Sequence, residues 1–270
     1  MDDLDFEYHS RRHYLPAEGG DDDERAAALF DHAIAVQTGL VRLIGEMLPL
    51  KDRVTHPVAW KYLVYGAARR LGMLRASFAD LFRFAPPDRT EPLDTQTEGS
   101  INRDLNSIYI DVAGTMDNFA WVLLHALAPA DKVSKVNRRS VGLFRVEVAN
   151  LLPALQGVLG PFAQWHGDLV ERRHVSAHRI PMYIPPSALS ETEAIAYREL
   201  DMKERDFATS GDFDAADRVH AEHKALGRFM PWFATDPTDQ PIHLYTTVPR
   251  DLGMLIRVAR AIFPLLQPAD

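Results

Sequence analysis

A chain of 270 residues, 46% hydrophobic and without a single cysteine, is long enough to bury a large core and excludes disulfides, thiolate zinc sites and cysteine nucleophiles. The net charge of -8 argues against coating nucleic acid through a broad basic surface, because that mode needs Lys and Arg to neutralise many phosphates; a local basic site remains open. The chain begins Met1-Asp2-Asp3-Leu4-Asp5 and has no uninterrupted apolar run long enough to span a bilayer, so a soluble, unexported, cytoplasmic protein with no membrane partner is expected.

Residues 1–24, with Gly19-Gly20 before Asp21-Asp22-Asp23-Glu24, read as a flexible acidic leader that ends in a helix start. From Arg25 the apolar residues Ala28, Leu29, Ala33, Val36, Leu40, Leu43, Ile44 and Met47 recur at three- and four-residue spacing until Pro49, which predicts a long helix. A second helix is predicted over 57–84, with Trp60, Leu63, Ala67, Leu71, Leu74, Phe78 and Leu81 on one side and Pro86-Pro87 behind it. A polar loop over 88–99 leads to a third, over 101–127, with Leu105, Ile108, Val112, Met116, Phe119 and Leu123 as its stripe. A basic connector over 132–139 precedes a short helix over 144–152 and another over 155–172, interrupted by Gly160-Pro161.

Further on, Pro181 and Pro185-Pro186 break helical continuity, and Met182-Tyr183-Ile184 between them reads as extended. Ser190 with Glu193 makes a capping box for a helix over 190–205, and an acidic amphipathic helix follows over 210–223. The stretches 229–233 and 241–245 read as small strands, and 251–266 as the last helix, with Leu252, Leu255, Ile256, Ala259 and Phe263 on one face. The expected fold is all-α. It is an antiparallel bundle of four to five long helices over 25–189, with 190–270 forming helices and an irregular, partly extended segment packed on it.

The chemistry concentrates in Glu171-Arg172-Arg173-His174-Val175-Ser176-Ala177-His178-Arg179, where a helix is expected to give way to a loop. Positions five apart lie about 140° apart around a helix, so Arg173 and His178 would converge only if the backbone bends or a second chain completes the site. RNA cleavage needs a base for a ribose 2′-hydroxyl, a cation for the scissile phosphate and an acid for the leaving 5′-oxygen. An imidazole such as His178 exchanges protons near neutral pH, and a guanidinium such as Arg173 stays charged and donates to phosphate oxygens. Arg172 and Arg179 offer the same fork geometry.

Arg173-His174-x-x-x-His178, with Arg179-Ile180-Pro181 behind it, is similar to the signature of the HEPN domains: an Arg, a polar residue, three variable residues and a His. The stretch from Leu105 to Tyr109 and on through Asp117-Asn118-Phe119-Ala120-Trp121 resembles the upstream helix of bacterial HEPN proteins in which an Asp-Asn pair precedes an Ala-Trp. That resemblance implies a helical bundle, usually a homodimer, whose paired Arg and His residues form an endoribonuclease site needing no metal or cofactor. In it Arg173 would contact phosphate, His178 would be the acid/base group, and His174 would fill a polar position more often held by Asn or Asp. It also implies an RNA substrate, an antitoxin or other regulatory partner, and a stress, toxin-antitoxin or defence role. The alternative is a non-catalytic dimeric module that binds RNA, a nucleotide or a partner, which the acidic net charge favours.

Several residues carry two readings. His174 and His178, with His166 upstream, sit at spacings that suit a divalent metal, but Arg172, Arg173 and Arg179 beside them would repel a cation. Asp117 and Asn118 suit either buried hydrogen bonding between helices or, with Asp117 near Arg173 or His178, orientation of the motif. Tyr183 suits base stacking or packing between prolines, and Trp121 suits the core.

Overall fold

The computed structural model describes residues 22–235 and 240–266; most of the expected leader lies outside them. The described chain is an all-α antiparallel bundle. Helix α1 (Asp22–Met47) buries Ala33, Val36, Leu40, Leu43 and Met47, the three- and four-residue spacing that puts side chains on one face. By length and composition alone, Glu24–Met47 could cross a membrane. Its buried stripe instead belongs to the common core, and Glu46 accepts from the Arg260 guanidinium at 2.7 Å.

Helix α2 (Pro57–Lys61), a π-helical stretch Tyr62–Ala68 and α3 (Arg69–Phe84) run on without a break. His56 caps the start by accepting from the Val58 backbone N–H at 3.3 Å, and Pro57 occupies the first turn, where its missing N–H is harmless. The π stretch contains Gly66, against which Asn118 of the next helix packs so closely that a Cβ would lie 2.6 Å from the Asn118 Cγ. Gly66→Ala should therefore destabilise the protein by roughly 1–3 kcal/mol through overpacking, although alanine is the better helix former. Urea unfolding of the variant checks this, and an unchanged midpoint would mean that Asn118 yields freely.

Helix α4 (Thr95–Leu127) is the axis of the bundle, about 50 Å long at 1.5 Å per residue. It starts earlier than the apolar periodicity predicts, because Asp94 caps it, accepting from the Thr97 N–H at 2.9 Å. Residues 95–100 are polar and carry no stripe, so they read as loop. Ile101, Leu105, Ile108, Tyr109, Val112, Phe119 and Leu123 are buried and meet α3 and the π stretch on one side and α8 on another. Short helices α5 (Ala130–Val133), α6 (Val146–Leu151) and α7 (Ala154–Leu159) and a 3-10 turn, Gly160–Phe162, lead to α8 (Ala163–His178).

The segment after α8 is extended as expected, and its partners explain why. Asn106 donates to the Met182 carbonyl at 2.7 Å and accepts from the Met182 N–H at 3.1 Å. Asn102 accepts from the Ile184 N–H at 2.6 Å, and Tyr183 pairs with Ala234 in an antiparallel bridge. Two amides of α4 thus do the work of a neighbouring strand.

Helices α9 (Glu191–Ser210) and α10 (Phe213–Lys224) form a hairpin that turns at Gly211, whose φ of 82° favours glycine. The Ser190–Glu193 capping box opens it. The predicted strands shrink to β1 (Trp232–Phe233) and β2 (Ile242–His243), paired antiparallel. Leu244 and Tyr245, read as extended, are the first residues of α11 (Leu244–Ile262), which takes Pro249 inside it. This last helix packs on α1, α4, α7 and α8 and is buried along most of its length. A division of the chain at residue 190 therefore separates α11 from the bundle whose core it completes.

Candidate functional site

Helix α8 does not stop before the motif. It continues through His178, so Arg173, His174 and His178 occupy its last turn and a half. Arg173 Nη1 nevertheless lies 2.9 Å from His178 Nε2. The expectation that convergence needs a bend or a second chain is corrected here: the long arginine side chain spans the 140° offset within one chain. A guanidinium only donates hydrogen bonds, so His178 Nε2 is the acceptor and the ring proton sits on Nδ1. The His174 and His178 rings lie 6.0 Å apart, centroid to centroid, as the four-residue spacing requires. Arg173 and His174 are half-buried and His178 is exposed.

Asp117 of α4 faces this turn. Burial by the surrounding protein raises its carboxyl above the usual carboxylate range, while Arg173, Arg70 and Arg145 pull it down. Asp117 is nonetheless an exposed residue, and its Oδ1 lies beside Gly142, where an added Cβ would approach it to 3.1 Å. Asn118, the next residue, points elsewhere because successive helical positions differ by about 100°. It packs on Gly66 and lines an open groove of about 630 Å³ with Tyr62, Tyr65, Arg69, Arg70 and Met73.

The other predicted residues divide. Arg172 turns inward: its guanidinium pairs with Asp251 of α11 at 3.0 Å and lies over the Tyr109 ring at 5.5 Å. It is a structural cation and is not presented with Arg173. Arg179 is exposed and forms a loose 3.8 Å pair with Glu171, an interaction worth little in water. Tyr183 is half-buried and committed through its backbone to Ala234. Trp121 is half-buried in a stack with Tyr62 at 5.4 Å and His125 at 5.5 Å.

His166 does not join His174 and His178. Its ring is stacked on Phe144 at 3.9 Å, and burial, with Arg145 nearby, lowers it to about 4. Burial lowers His243 to about 3. Both imidazoles are therefore neutral in the folded protein and titrate at 6.5 or so when unfolded. The unfolded state takes up protons first, so the stability they contribute is present above pH 6.5 and is lost as pH falls toward 4. At pH 5 the loss should be about 2 kcal/mol for each group. Urea midpoints at pH 7, 6 and 5 measure it; His166→Gln should remove roughly half the slope, and a midpoint flat with pH would contradict the argument.

Among the residues that the sequence reading missed are Asp251, Arg70 and Arg145. Asp251 is fully buried and accepts from Tyr109 Oη at 3.0 Å, Trp165 Nε1 at 3.0 Å and Arg172. One carboxylate thereby ties α4, α8 and α11 together directly behind Arg173. A charged residue inside the apolar stripe of the last helix was the available signal. Arg145 had none, since it stands in a connector whose path only the fold fixes. No family model, curated protein or solved structure matches this chain.

Proposed function

We propose that the chain is a metal-independent endoribonuclease of the HEPN type, with its site on the last turn of α8. The observation that carries this reading is the Arg173 to His178 contact of 2.9 Å, which places a permanent cation against an imidazole lone pair at an accessible surface. When a backbone phosphate takes over the Arg173 N–H groups, His178 Nε2 is released to accept the proton of the ribose 2′-hydroxyl. The 2′-oxygen then attacks phosphorus, the bond to the 5′-oxygen breaks, and a 2′,3′-cyclic phosphate remains.

The leaving 5′-oxygen needs a proton. His174, on the same face as His178, is placed to supply it, so both halves of the proton traffic have a donor or acceptor within one chain. Asp117 acts on Arg173 through charge and so positions the guanidinium. The reading extends to a homodimer that sets two such faces side by side, and to a cytoplasmic protein held in check by an antitoxin or other partner.

The test is incubation of the purified protein with total RNA in EDTA, beside Arg173→Ala and His178→Ala. Cleavage by the wild type with cyclic phosphate ends, abolished by both substitutions, is the expected result. Cleavage that survives both, or that requires added metal, overturns it. Tight RNA binding without cleavage would instead favour the binding module, which the net charge of -8 suits.

A further inference from the structure

The α9–α10 hairpin is poorly supplied with a core of its own. None of the residues of α9 is fully buried, and those of α10 that are comprise Ala215, Ala216 and His223. Ile195, Met202, Phe207 and Phe213 are exposed. In place of an apolar seam, the hairpin has a polar cluster. Glu204 of α9 has one carboxylate oxygen 2.9 Å from His220 Nδ1 and the other 3.2 Å from His223 Nδ1. His220 and His223 are three apart on α10, so their rings share a face. One donor atom from each of the three residues lies within 4.8 Å of the other two. His223 is 6% exposed, its ring lies 3.8 Å from the Tyr197 ring, and its Nε2 is buried with no hydrogen-bond partner. Its orientation therefore rests on Glu204 and on packing.

We infer that Glu204, His220 and His223 form a zinc-binding site that clasps α9 to α10. Two nitrogens and a carboxylate are the ligand types of tetrahedral zinc, with bonds of about 2.0–2.2 Å. Ligand atoms around such an ion are roughly 3.3 Å apart; His220 Nδ1 lies 2.9 Å from one Glu204 oxygen and His223 Nδ1 3.2 Å from the other, so the carboxylate must turn until one oxygen faces both nitrogens. The ion takes the place of the two N–H···O hydrogen bonds: each neutral ring carries its proton on Nε2, and Nδ1 gives its lone pair to zinc. A water completes the fourth position. A hairpin with so little buried apolar surface gains from a metal what a larger core would otherwise supply. The site uses neither of the motif histidines, and zinc binding is separate from the RNA reaction proposed above.

The full-length protein, stripped with EDTA and dialysed, is titrated with Zn2+ against a chromophoric chelator, and with Co2+ followed by its visible d–d absorption. One Zn2+ per chain and tetrahedral Co2+ bands are expected. His220→Ala, at an exposed position, should retain the fold by circular dichroism and weaken binding by about 100-fold; Glu204→Gln should do the same. His174→Ala and His178→Ala should bind as the wild type does. No binding at 1:1 stoichiometry, binding unchanged in both His220→Ala and Glu204→Gln, or loss of zinc only in the motif variants, would each overturn the assignment.

Discussion

Asp251→Ala should be the most destabilising single substitution in the protein, at about 3–5 kcal/mol, the range for removing one partner of a buried ion pair. The carboxylate has no solvent exposure, so its loss leaves the Arg172 guanidinium, whose side chain is 12% exposed, with an uncompensated charge in a poorly hydrated place. Tyr109 Oη and Trp165 Nε1 lose their acceptor at the same time. A loss of this size in a chain of this length lowers the melting temperature by roughly 10 °C. Asp251→Asn keeps an oxygen for one of the two neutral donors, and its loss should be smaller. Urea unfolding of both variants gives the comparison. An alanine variant within 1 kcal/mol of wild type would show that water reaches the cluster and replaces the carboxylate.

The same substitution reaches the site. Arg172 and Arg173 are neighbours on α8, and the Arg172 to Asp251 pair is what fastens that turn to α11. Unfastening it frees the end of the helix, so Arg173 and His178 lose the registration that their 2.9 Å contact expresses. On the proposed endoribonuclease reading, RNA cleavage by Asp251→Asn should therefore fall even under conditions where the variant is fully folded.

The second large effect falls on the chemistry itself. On the endoribonuclease reading proposed above, His178→Ala should lower the rate of RNA cleavage by about 10²–10⁴-fold, the usual contribution of a positioned general base. Arg173→Ala should lower it by about 10²–10³-fold, as the loss of one charge-stabilising donor does. Arg173→Lys separates charge from geometry: an ammonium keeps the charge but not the fork that engages two phosphate oxygens, so its rate should lie between those of wild type and alanine. His174→Ala should depress cleavage of a 5′-oxygen leaving group far more than that of a substrate with an activated aryl leaving group, which departs without an acid. Equal losses on the two substrates would remove His174 from the proton relay. These substitutions at the α8 end leave the buried cluster intact, so melting temperatures near wild type distinguish a chemical loss from an unfolded protein.

The sequence alone determined the bundle. The stripes in α1, in the 57–84 stretch and in α4 are long, strictly periodic and bounded by prolines or caps, and a long amphipathic helix has few places to put its apolar face other than against another helix. The extended Met182-Tyr183-Ile184 and the Ser190 capping box were equally legible, because prolines and local hydrogen bonds act over a few residues. The concentration of arginine and histidine drew attention to residues 172–179, and the resemblance to the HEPN signature singled out Arg173 and His178.

Tertiary structure decided the rest. Whether Arg172 or Arg173 faces outward depends on which neighbour takes the charge, and that neighbour, Asp251, is distant in sequence. Asp117 lies in the electrostatic reach of Arg173 while Asn118 packs on Gly66, a division set by where the adjoining helices run. The assignment of α11 to the core and the meeting of Glu204 with His220 and His223 have the same origin: periodicity fixes which face of a helix is apolar, but the partner of each polar group is a long-range contact that no local pattern encodes.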